Sequence, residues 1–223
     1  MTYTTVVRDA VFADHPLKVF SLESLEKTID EVFEQLSAFG EQDLLDEYCP
    51  YFGVIWPAGQ ALAEYVARMP TDEVRGKRIL EIGCGLAIPG MLLAQKGAKV
   101  TVSDLHPEVP RFLERNLALN GITTGLEMKV LDWRTDGSAL GALDFIVGSD
   151  LVYEKQSPET LATFLNQIAS PATTIVLTDP GRFYLRDFMD AMTARRFLLQ
   201  APSILGGPGE AGDRLFLLVY RRT

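Results

Sequence analysis

The stretch "RILEIGCGLAIPG", Arg78 to Gly90, decides the fold of this chain. It begins with a few mostly apolar residues, as a short buried β-strand does, and then breaks into glycines. The apolar segment "IPGMLLAQKG" that follows predicts a helix closed by Gly97. A strand, a glycine turn and a helix together form a unit whose backbone can approach a ligand closely.

The same alternation continues toward the C-terminus. After the first strand, further strands are predicted in "AKVTVSD", "GLEMKVLDW", "LDFIVGSD", "TTIVLTD" and "DRLFLLVYRR", with helices in "VPRFLERNLALNG", "PETLATFLNQIA" and "RFYLRDFMDAMTARR". The segment "LGGPGEAGD", residues 205–213, predicts a loop before the last strand. Alternating strands and helices favour an α/β fold with a parallel sheet covered on both faces.

Ligands of such sheets bind beyond the carboxyl ends of the strands, so the strand ends hold the candidate residues. These candidates are Glu81 to Gly85, Asp104, Asp132, Trp133, Ser149 and Asp150.

The glycine pattern distinguishes between cofactors. A dinucleotide fingerprint needs a third glycine where this chain has Ile88, and no phosphate-binding P-loop motif occurs. An acidic residue two positions before the first glycine, with a second acidic residue closing the next strand, fits S-adenosylmethionine (SAM) better. Glu81 could hold the SAM ammonium, while Gly83 and Gly85 let the backbone approach.

The next two strand ends would complete a SAM site. Asp104 could accept hydrogen bonds from the ribose hydroxyls, and Asp132 with Trp133 could contact and stack on adenine. Each residue also has a structural interpretation: a strand-end aspartate can cap a helix, Trp133 can belong to the core, and Cys84 can be a small filler.

Composition and charge limit the function classes. The net charge of −9 lies in residues 1–76, and residues 77–223 are balanced. This placement counts against a nucleic-acid binder and is compatible with a basic protein partner, although, taken alone, it fits a solvated acidic helix surface better. Two cysteines, no apparent signal peptide and no long apolar span predict a cytoplasmic protein, and no pattern of residues predicts a metal site.

The N-terminal part of the sequence shows a helical pattern without the alternating strands of the remainder. Apolar residues recur at helical spacing from Leu22 to Leu36, and a second helix should begin at Pro57 and end before Pro70. We therefore expect an acidic, helical N-terminal segment over residues 1–50 and a SAM-dependent methyltransferase domain over residues 51–223.

With these motifs in place, the sequence resembles the class I, seven-β-strand methyltransferases, and among them the protein-lysine methyltransferases of methyltransferase family 16. The resemblance rests on "LEIGCGLAIPG", "VSDLHP", "GSDLVYE", "IWPAGQALAEYV" and "TDPGR". It is nearest to the branch that methylates the electron-transfer-flavoprotein β-subunit. Ala87 stands where many members have glycine.

The resemblance implies a Rossmann-like sheet of seven strands, the last antiparallel, flanked by helices. It also implies a protein acceptor and a cofactor site to which these residues belong: Trp56, Glu81, Gly83, Cys84, Gly85, Asp104, Leu105, Asp132, Trp133 and Ser149. The acceptor end would be formed by Asp150, which orients the incoming amine and accepts its proton, and by Tyr153, which shapes the acceptor channel.

Other functions remain open at this point. Asp150 and Tyr153 could be a cap and a core aromatic, and a small-molecule N-methyltransferase or a non-catalytic docking module could share the fold. The segment after the fourth strand, "SDLVYE", differs from the Pro-Pro motif typical of nucleic-acid amino methylation.

Overall fold

The chain begins with a β-hairpin that the sequence analysis did not predict. The computed structural model describes residues 3–135, 137–200, 203–206 and 214–222. Strands β1 (Thr5–Phe12) and β2 (His15–Leu22) pair antiparallel. The turn residues Ala13 and Asp14 have φ of 43° and 70°. This turn needs two left-handed residues, which Asn-Gly usually supplies, so Ala-Asp gave no recognisable signal. The expectation of a helical segment over residues 1–50 is corrected to a hairpin followed by helix.

The predicted N-terminal helices follow the hairpin. Helix α1 (Leu25–Phe39) begins at Ser24, whose side chain accepts a hydrogen bond from the Lys27 N–H, and it ends at Gly40 in the left-handed conformation. A short α2 (Leu45–Tyr48) and a 3-10 turn (Tyr51–Gly53) lead to α3 (Pro57–Arg68) and α4 (Thr71–Val74). Pro57 at the start of α3 confirms the expected use of its fixed φ.

The remainder of the chain builds the α/β layer. Its elements are β3 (Arg78–Ile82), α5 (Ile88–Gln95), β4 (Lys99–Ser103), α6 (Val109–Leu119), β5 (Leu126–Lys129), β6 (Phe145–Ser149), α7 (Ser157–Ile168), β7 (Thr174–Asp179), α8 (Leu185–Ala194), β8 (Phe197–Leu199), β9 (Ser203–Gly206) and β10 (Arg214–Arg222). Strands β8 and β9 were not predicted from the residues, and they are short.

The strand order confirms the expected fold. The main path of the sheet runs β5-β4-β3-β6-β7-β10-β8, and β9 also pairs with β10. Strands β3 to β7 pair with one another in parallel, whereas β10 is antiparallel to β7, β8 and β9. The order of the chain reverses between β3 and β6, so the ligand crevice of such a sheet is expected above these two strands.

Side chains that alternate along each strand supply two hydrophobic cores, one on each face of the sheet. Ile79, Val147 and Val176 belong to the core that includes residues of α3, α5 and α6. Their sequence neighbours Leu80, Ile146 and Ile175 belong to the core beneath α7 and α8. No helix in the described part of the chain is long and apolar enough to cross a membrane.

The N-terminal hairpin is joined to the first of these cores. Phe12, Leu17 and Val19 are buried in it. The side-chain amide of the fully buried Asn116 on α6 accepts a hydrogen bond from the Phe20 N–H (2.6 Å) and donates one to the Phe20 carbonyl (3.2 Å). One helix side chain thereby satisfies both backbone groups of a strand residue.

Two expectations about boundaries need adjustment. Strand β5 ends at Lys129, so Asp132 and Trp133 lie in the segment after the strand and not at its last residues. Leu205 and Gly206, predicted as loop, belong to β9, and residues 207–213 lie outside the described residues. The domain boundary at residue 50 stays a prediction.

Candidate functional site

The glycine turn after β3 is shaped by left-handed backbone. Gly83 and Gly85 have φ of 58° and 49°, and Ala87 has φ of 55°. A Cβ at Gly85 would lie 2.9 Å from the carbonyl oxygen of Phe52, and one at Gly83 would lie 2.6 Å from a methyl group of Leu151. The left-handed backbone favours glycine at both positions, and the rigid Phe52 carbonyl also leaves no space for a side chain at Gly85.

Glu81 lies under this turn, buried, with 3% of its surface exposed. Its carboxylate Oε2 accepts a hydrogen bond from the Gly90 N–H at 2.7 Å. A Cβ at Gly90 would come within 2.6 Å of the same oxygen, so glycine at the start of α5 admits the carboxylate. Burial, opposed in part by this hydrogen bond and reinforced by the charge of Asp104, raises the pKa of Glu81 to about 8. No salt bridge to Glu81 occurs among the described residues.

The end of β4 is tied to the glycine turn. Asp104 accepts hydrogen bonds from the Gly85 N–H (2.9 Å) through Oδ2 and from the His106 N–H (3.0 Å) through Oδ1. Each oxygen has a second lone pair that can accept a further donor. Leu105, between these residues, is partly exposed. The structure therefore brings Glu81, Gly83, Gly85 and Asp104 together at one edge of the sheet.

Cys84 fits the filler interpretation. Its backbone N–H donates to the Ser103 carbonyl (2.9 Å), and its side chain is buried. Burial is the main cause that raises the pKa of the thiol well above its ordinary value, so the side chain stays a neutral thiol.

The segment before α3 approaches the same edge from one side. Trp56 immediately precedes α3, and its indole Nε1–H donates to the Tyr51 carbonyl at 2.8 Å. A Cβ at Gly59, in the first turn of α3, would lie 3.5 Å from the hydroxyl of Ser149 at the end of β6. The start of α3 thus packs near the carboxyl end of β6.

Asp132 and Trp133 lie in a turn beyond β5. The Asp132 carboxylate pairs with the Arg134 guanidinium at 2.7 Å, and this hydrogen bonding lowers the pKa of Asp132. Trp133 is partly buried and packs against the core beneath α7 and α8. The core role considered for Trp133 therefore has direct support, while adenine stacking stays a prediction.

Asp150 has a strained backbone and a strong partner. Its φ of 54° is left-handed, and its N–H donates to the Thr178 carbonyl at 2.9 Å, which extends the pairing of β6 with β7. The Asp150 carboxylate forms a two-bond ion pair with Arg182, at 2.7 Å from Nε and 2.8 Å from Nη2. Left-handed non-glycine residues are uncommon and cluster at functional sites.

Tyr153 lies three residues further along the chain. More than half of its surface is exposed. Partial burial is the first cause that raises the pKa of its phenol, and the charges of Glu154, Asp104 and Asp150 raise it further. Tyr153 is therefore a neutral, accessible aromatic near the Asp150 carboxylate, in a position that can line a channel.

Sequence analysis missed two residues of this site, Asp179 and Arg182. Asp179 ends β7, is 3% exposed, and accepts hydrogen bonds through Oδ1 from the N–H groups of Gly181 and Arg182, both at 2.7 Å. Burial raises the pKa of its carboxyl. A signal was present, since an aspartate at a strand end followed by Pro-Gly predicts a side-chain-stabilised turn. The pairing of Arg182 with Asp150 had no sequence signal, because the residues are 32 positions apart.

The residues around the glycine turn fit SAM. Two left-handed glycines leave space that a Cβ would fill. The buried carboxylate of Glu81, on the strand just before them, contacts the Gly90 N–H and has no cationic partner among the described residues. An ammonium is the group that such a carboxylate would bind, and Asp104 retains lone pairs for hydroxyl donors. Within the described ranges, no group of three or more His, Cys, Asp or Glu residues could hold a metal ion.

Comparison with known proteins agrees with this geometry. The chain is 32% identical over 138 residues to the electron transfer flavoprotein beta subunit lysine methyltransferase of Xenopus laevis, a match covering 60% of this chain and 53% of that protein. It is 36% identical over 119 residues to the histone-arginine methyltransferase METTL23 of the same species, covering 51% and 50%. The chain thus spans about half the length of these relatives.

Solved structures share the fold. A TehB-like SAM-dependent methyltransferase from Corynebacterium glutamicum superimposes with a TM-score of 0.60 at 17% identity, over 88% of this chain and 97% of that one. The family model described as lysine methyltransferase matches residues 46–194, from the segment before α3 to the end of α8. The chain therefore belongs to the lysine methyltransferase family, the methyltransferase family 16 that its motifs resemble.

Proposed function

We propose that this protein is a SAM-dependent methyltransferase that N-methylates a lysine side chain of a protein substrate. The observation that carries the proposal is the Asp150 carboxylate at the carboxyl end of β6, the strand next to the Glu81 glycine turn of β3. A cofactor site on β3 and an amine-binding carboxylate on the adjacent strand are the two parts that the reaction needs.

The cofactor end would be held by residues of three elements. Glu81 would pair with the SAM ammonium, Gly83 and Gly85 would admit its methionine part, and Asp104 would accept from the ribose hydroxyls. Trp56, Cys84, Leu105, Asp132, Trp133 and Ser149 remain the proposed lining of the same site. When bound, SAM supplies an electrophilic methyl group, which the amine nitrogen takes as the sulfonium becomes a neutral thioether.

At the acceptor end, the protein's contribution is alignment and exclusion of water. The Asp150 carboxylate, with 12% of its side chain exposed, would accept a hydrogen bond from the amine and direct its lone pair. The methylated nitrogen carries an extra proton, which Asp150 would pass to solvent. Tyr153 would line the route by which the acceptor side chain arrives.

A protein acceptor is favoured by the charge distribution. The excess negative charge of the chain lies in its first third, where Glu26 and Glu34 extend from α1. An acidic surface attracts a basic, lysine-presenting protein and repels nucleic acid. We also propose a reducing compartment such as the cytoplasm, since two cysteines in 223 residues do not form the disulfide framework typical of secreted domains.

Arginine is a second candidate acceptor, and one observation favours it. The Asp150 carboxylate already binds one guanidinium, that of Arg182, and its remaining lone pairs could accept hydrogen bonds from a substrate arginine. The relative METTL23 is named for arginine methylation.

The test is methyl transfer from methyl-tritiated SAM to proteins of a cell lysate, with Asp150→Asn as the variant. Asparagine keeps the shape of the side chain and tolerates left-handed backbone, so the fold should persist. Asp14→Asn is the matched control, since Asp14 is an exposed aspartate with φ of 70° in the hairpin turn. We expect protease-sensitive precipitable label from the wild type and from the Asp14 variant, and a loss of at least about 100-fold in the Asp150 variant, the size of effect typical when a positioning group is removed.

The products separate the alternatives. Acid hydrolysis of the labelled protein should yield methyl-lysine, and methyl-arginine would move the assignment to the second candidate. Soluble label without precipitable label would indicate a small-molecule methyltransferase. SAM binding without transfer to any fraction would contradict an enzymatic role and favour a docking module.

A further inference from the structure

The ion pair between Asp150 and Arg182 gives the acceptor site a second functional residue. We propose that Arg182 is a positioning residue of the acceptor site, which holds the Asp150 carboxylate in place and offsets its charge so that the incoming amine is received in its neutral form. This inference rests on the proposed function. It concerns a residue for which the sequence analysis assigned no role.

The turn that carries Arg182 is held in place by the side chain of Asp179. Asp179 ends β7, and its Oδ1 accepts from the N–H groups of Gly181 and Arg182 at 2.7 Å each. Gly181 has φ of 84°, and a Cβ there would lie 3.1 Å from the Phe216 ring. Asp179 Oδ2 is buried and has no hydrogen-bond partner among the described residues. A buried carboxylate oxygen without a hydrogen-bond partner lowers the stability of the protein. We attribute the presence of Asp179 in this turn to its role in positioning Arg182.

The contact itself is directional. Nε and Nη2 of Arg182 lie 2.7 and 2.8 Å from the two oxygens of Asp150, the fork geometry in which a guanidinium matches a carboxylate. Asp150 is 12% exposed and Arg182 is 41% exposed at the side chain. The carboxylate is therefore oriented from the Arg182 side, and only its remaining lone pairs can receive an amine.

This arrangement answers an electrostatic difficulty in the reaction. A lysine attacks only when its amine is neutral, and its ordinary pKa is about 10.4. A lone carboxylate beside the amine would stabilise ammonium and raise that pKa further. A guanidinium on the same carboxylate cancels most of this effect, so Asp150 can still accept a hydrogen bond without holding the amine protonated.

The other charged groups around the pair do not replace Arg182. Asp179 from β7 and Glu154 and Asp104 from neighbouring loops are acidic, and Tyr153 is neutral in the physiological range. All of the acidic groups favour ammonium. Several charged groups interact with the Asp150 carboxylate or with its neighbours Tyr153 and Asp179. Within the described residues, the positively charged group among them is Arg182.

The test compares Arg182→Gln, which removes the charge, with Arg182→Lys, which keeps the charge but loses the fork. Arg186→Gln is the matched control, because Arg186 is an exposed arginine four residues further along the chain, at the start of α8. The acceptor is the protein purified from the labelled band of the lysate assay, at saturating concentration, so that kcat follows ionisation within the bound complex.

In Arg182→Gln we expect the acidic limb of the kcat–pH profile to move up by about one to two pH units, the effect of an uncompensated charge a few ångströms from the amine. At pH 7 this shift lowers kcat by roughly 10- to 100-fold, and kcat should return to the wild-type value at high pH. Arg182→Lys should keep the limb within about half a pH unit while lowering kcat at every pH, because the amine is less well aligned. Arg186→Gln should match the wild type.

Two outcomes overturn the inference. A profile in Arg182→Gln that is lowered uniformly, without a shift, with SAM affinity and melting temperature unchanged, would make Arg182 merely structural. A second, activity-independent measurement is the Nε–H resonance of Arg182, assigned by its absence in Arg182→Gln; it should be protected at pH 7.5 and lost to solvent exchange in Asp150→Ala, which removes both acceptor oxygens. Protection that persists in Asp150→Ala would refute the pairing. A wild type that methylates no protein refutes the proposed function, and this inference with it, whereas an active wild type with an unshifted variant refutes this inference alone.

Discussion

Glu81 makes the stability of the protein depend on pH in a direction opposite to that of a salt-bridged carboxylate. Its pKa is about 8 in the folded protein against an ordinary value of 4.5. Between these values the folded state holds a proton that the unfolded state has released, so the free energy of unfolding falls as pH rises. The full loss across this window is about 5 kcal/mol, and at pH 7 the cost is roughly 3 kcal/mol, from 1.36 kcal/mol per pKa unit.

The substitution Glu81→Gln removes this dependence. Glutamine is neutral at every pH and keeps an oxygen that can accept from the Gly90 N–H. Without added SAM, the free energy of unfolding of the variant, relative to that of the wild type, should increase by about 3 kcal/mol between pH 4.5 and pH 7. The cost of burying the amide N–H groups of glutamine is the same at every pH, so it does not change this increase.

The assay is urea denaturation at half-unit pH intervals from 4.5 to 8.5. The control is Glu114→Gln, an exposed carboxylate on α6, whose curve should run parallel to that of the wild type. If the Glu81→Gln curve is also parallel to the wild-type curve, burial does not hold the Glu81 proton and the electrostatic reasoning is refuted.

The same proton should govern cofactor binding. The ionised form of Glu81 is the one that can pair with an ammonium, so SAM affinity, measured by calorimetry, should weaken by up to about tenfold for each pH unit below 8. In Glu81→Gln the affinity should be weak and almost independent of pH between 6 and 8. A pH-independent wild-type affinity would place the SAM ammonium elsewhere.

Three further substitutions test the turn and the hairpin by chemical denaturation. Gly85→Ala should lower the free energy of unfolding by about 2–3 kcal/mol, because its Cβ meets a backbone carbonyl at 2.9 Å. The control Gly121→Ala, at φ of 63° with open space around it, should lower it by about 1 kcal/mol. Equal losses of stability would contradict the steric argument. Ala87→Gly should change stability by less than about 1 kcal/mol, since relief of left-handed strain offsets the lost methyl group, while Ala63→Gly within α3 should cost about 1–2 kcal/mol. Asn116→Ala should cost roughly 2–4 kcal/mol and expose the β2 amides to hydrogen exchange, because it leaves two backbone groups of the hairpin unpaired; unchanged β2 protection would refute that role.

The α/β part of the fold was predictable because local pattern and global topology agree there. Strands β3, β4, β6 and β7 are short apolar runs bounded by glycine, proline or aspartate. Of the helices between them, α6 and α7 carry one apolar face, and α5 is apolar and buried almost throughout. Strand β8 is only three residues long, and its place between α8 and the end of the chain is set by pairing with β10. Three residues carry no period that a sequence pattern could reveal.

The hairpin and the pairing of Asp150 with Arg182 escaped prediction for different physical reasons. The hairpin turn uses Ala13 and Asp14 in a conformation normally supplied by asparagine and glycine, and tertiary packing on α6 stabilises it. The contact between Phe52 and Gly85 and the pairing of Asp150 with Arg182 join segments that are distant in sequence. The proposed cofactor residues could be selected from the sequence because a parallel sheet brings the ends of its strands to one edge.

The attachment of the hairpin to α6 also sets an order of events during synthesis. The backbone of Phe20 is satisfied by a side chain that lies 96 positions later in the chain. At roughly 5–20 residues per second, the ribosome takes about 5–20 s to supply that partner. During this interval the apolar face of the hairpin that packs on α6 in the folded protein is uncovered. Val7 and Val11 add to the exposed apolar surface, since they stay exposed even in the folded protein. The nascent hairpin therefore needs protection from association until α6 has emerged.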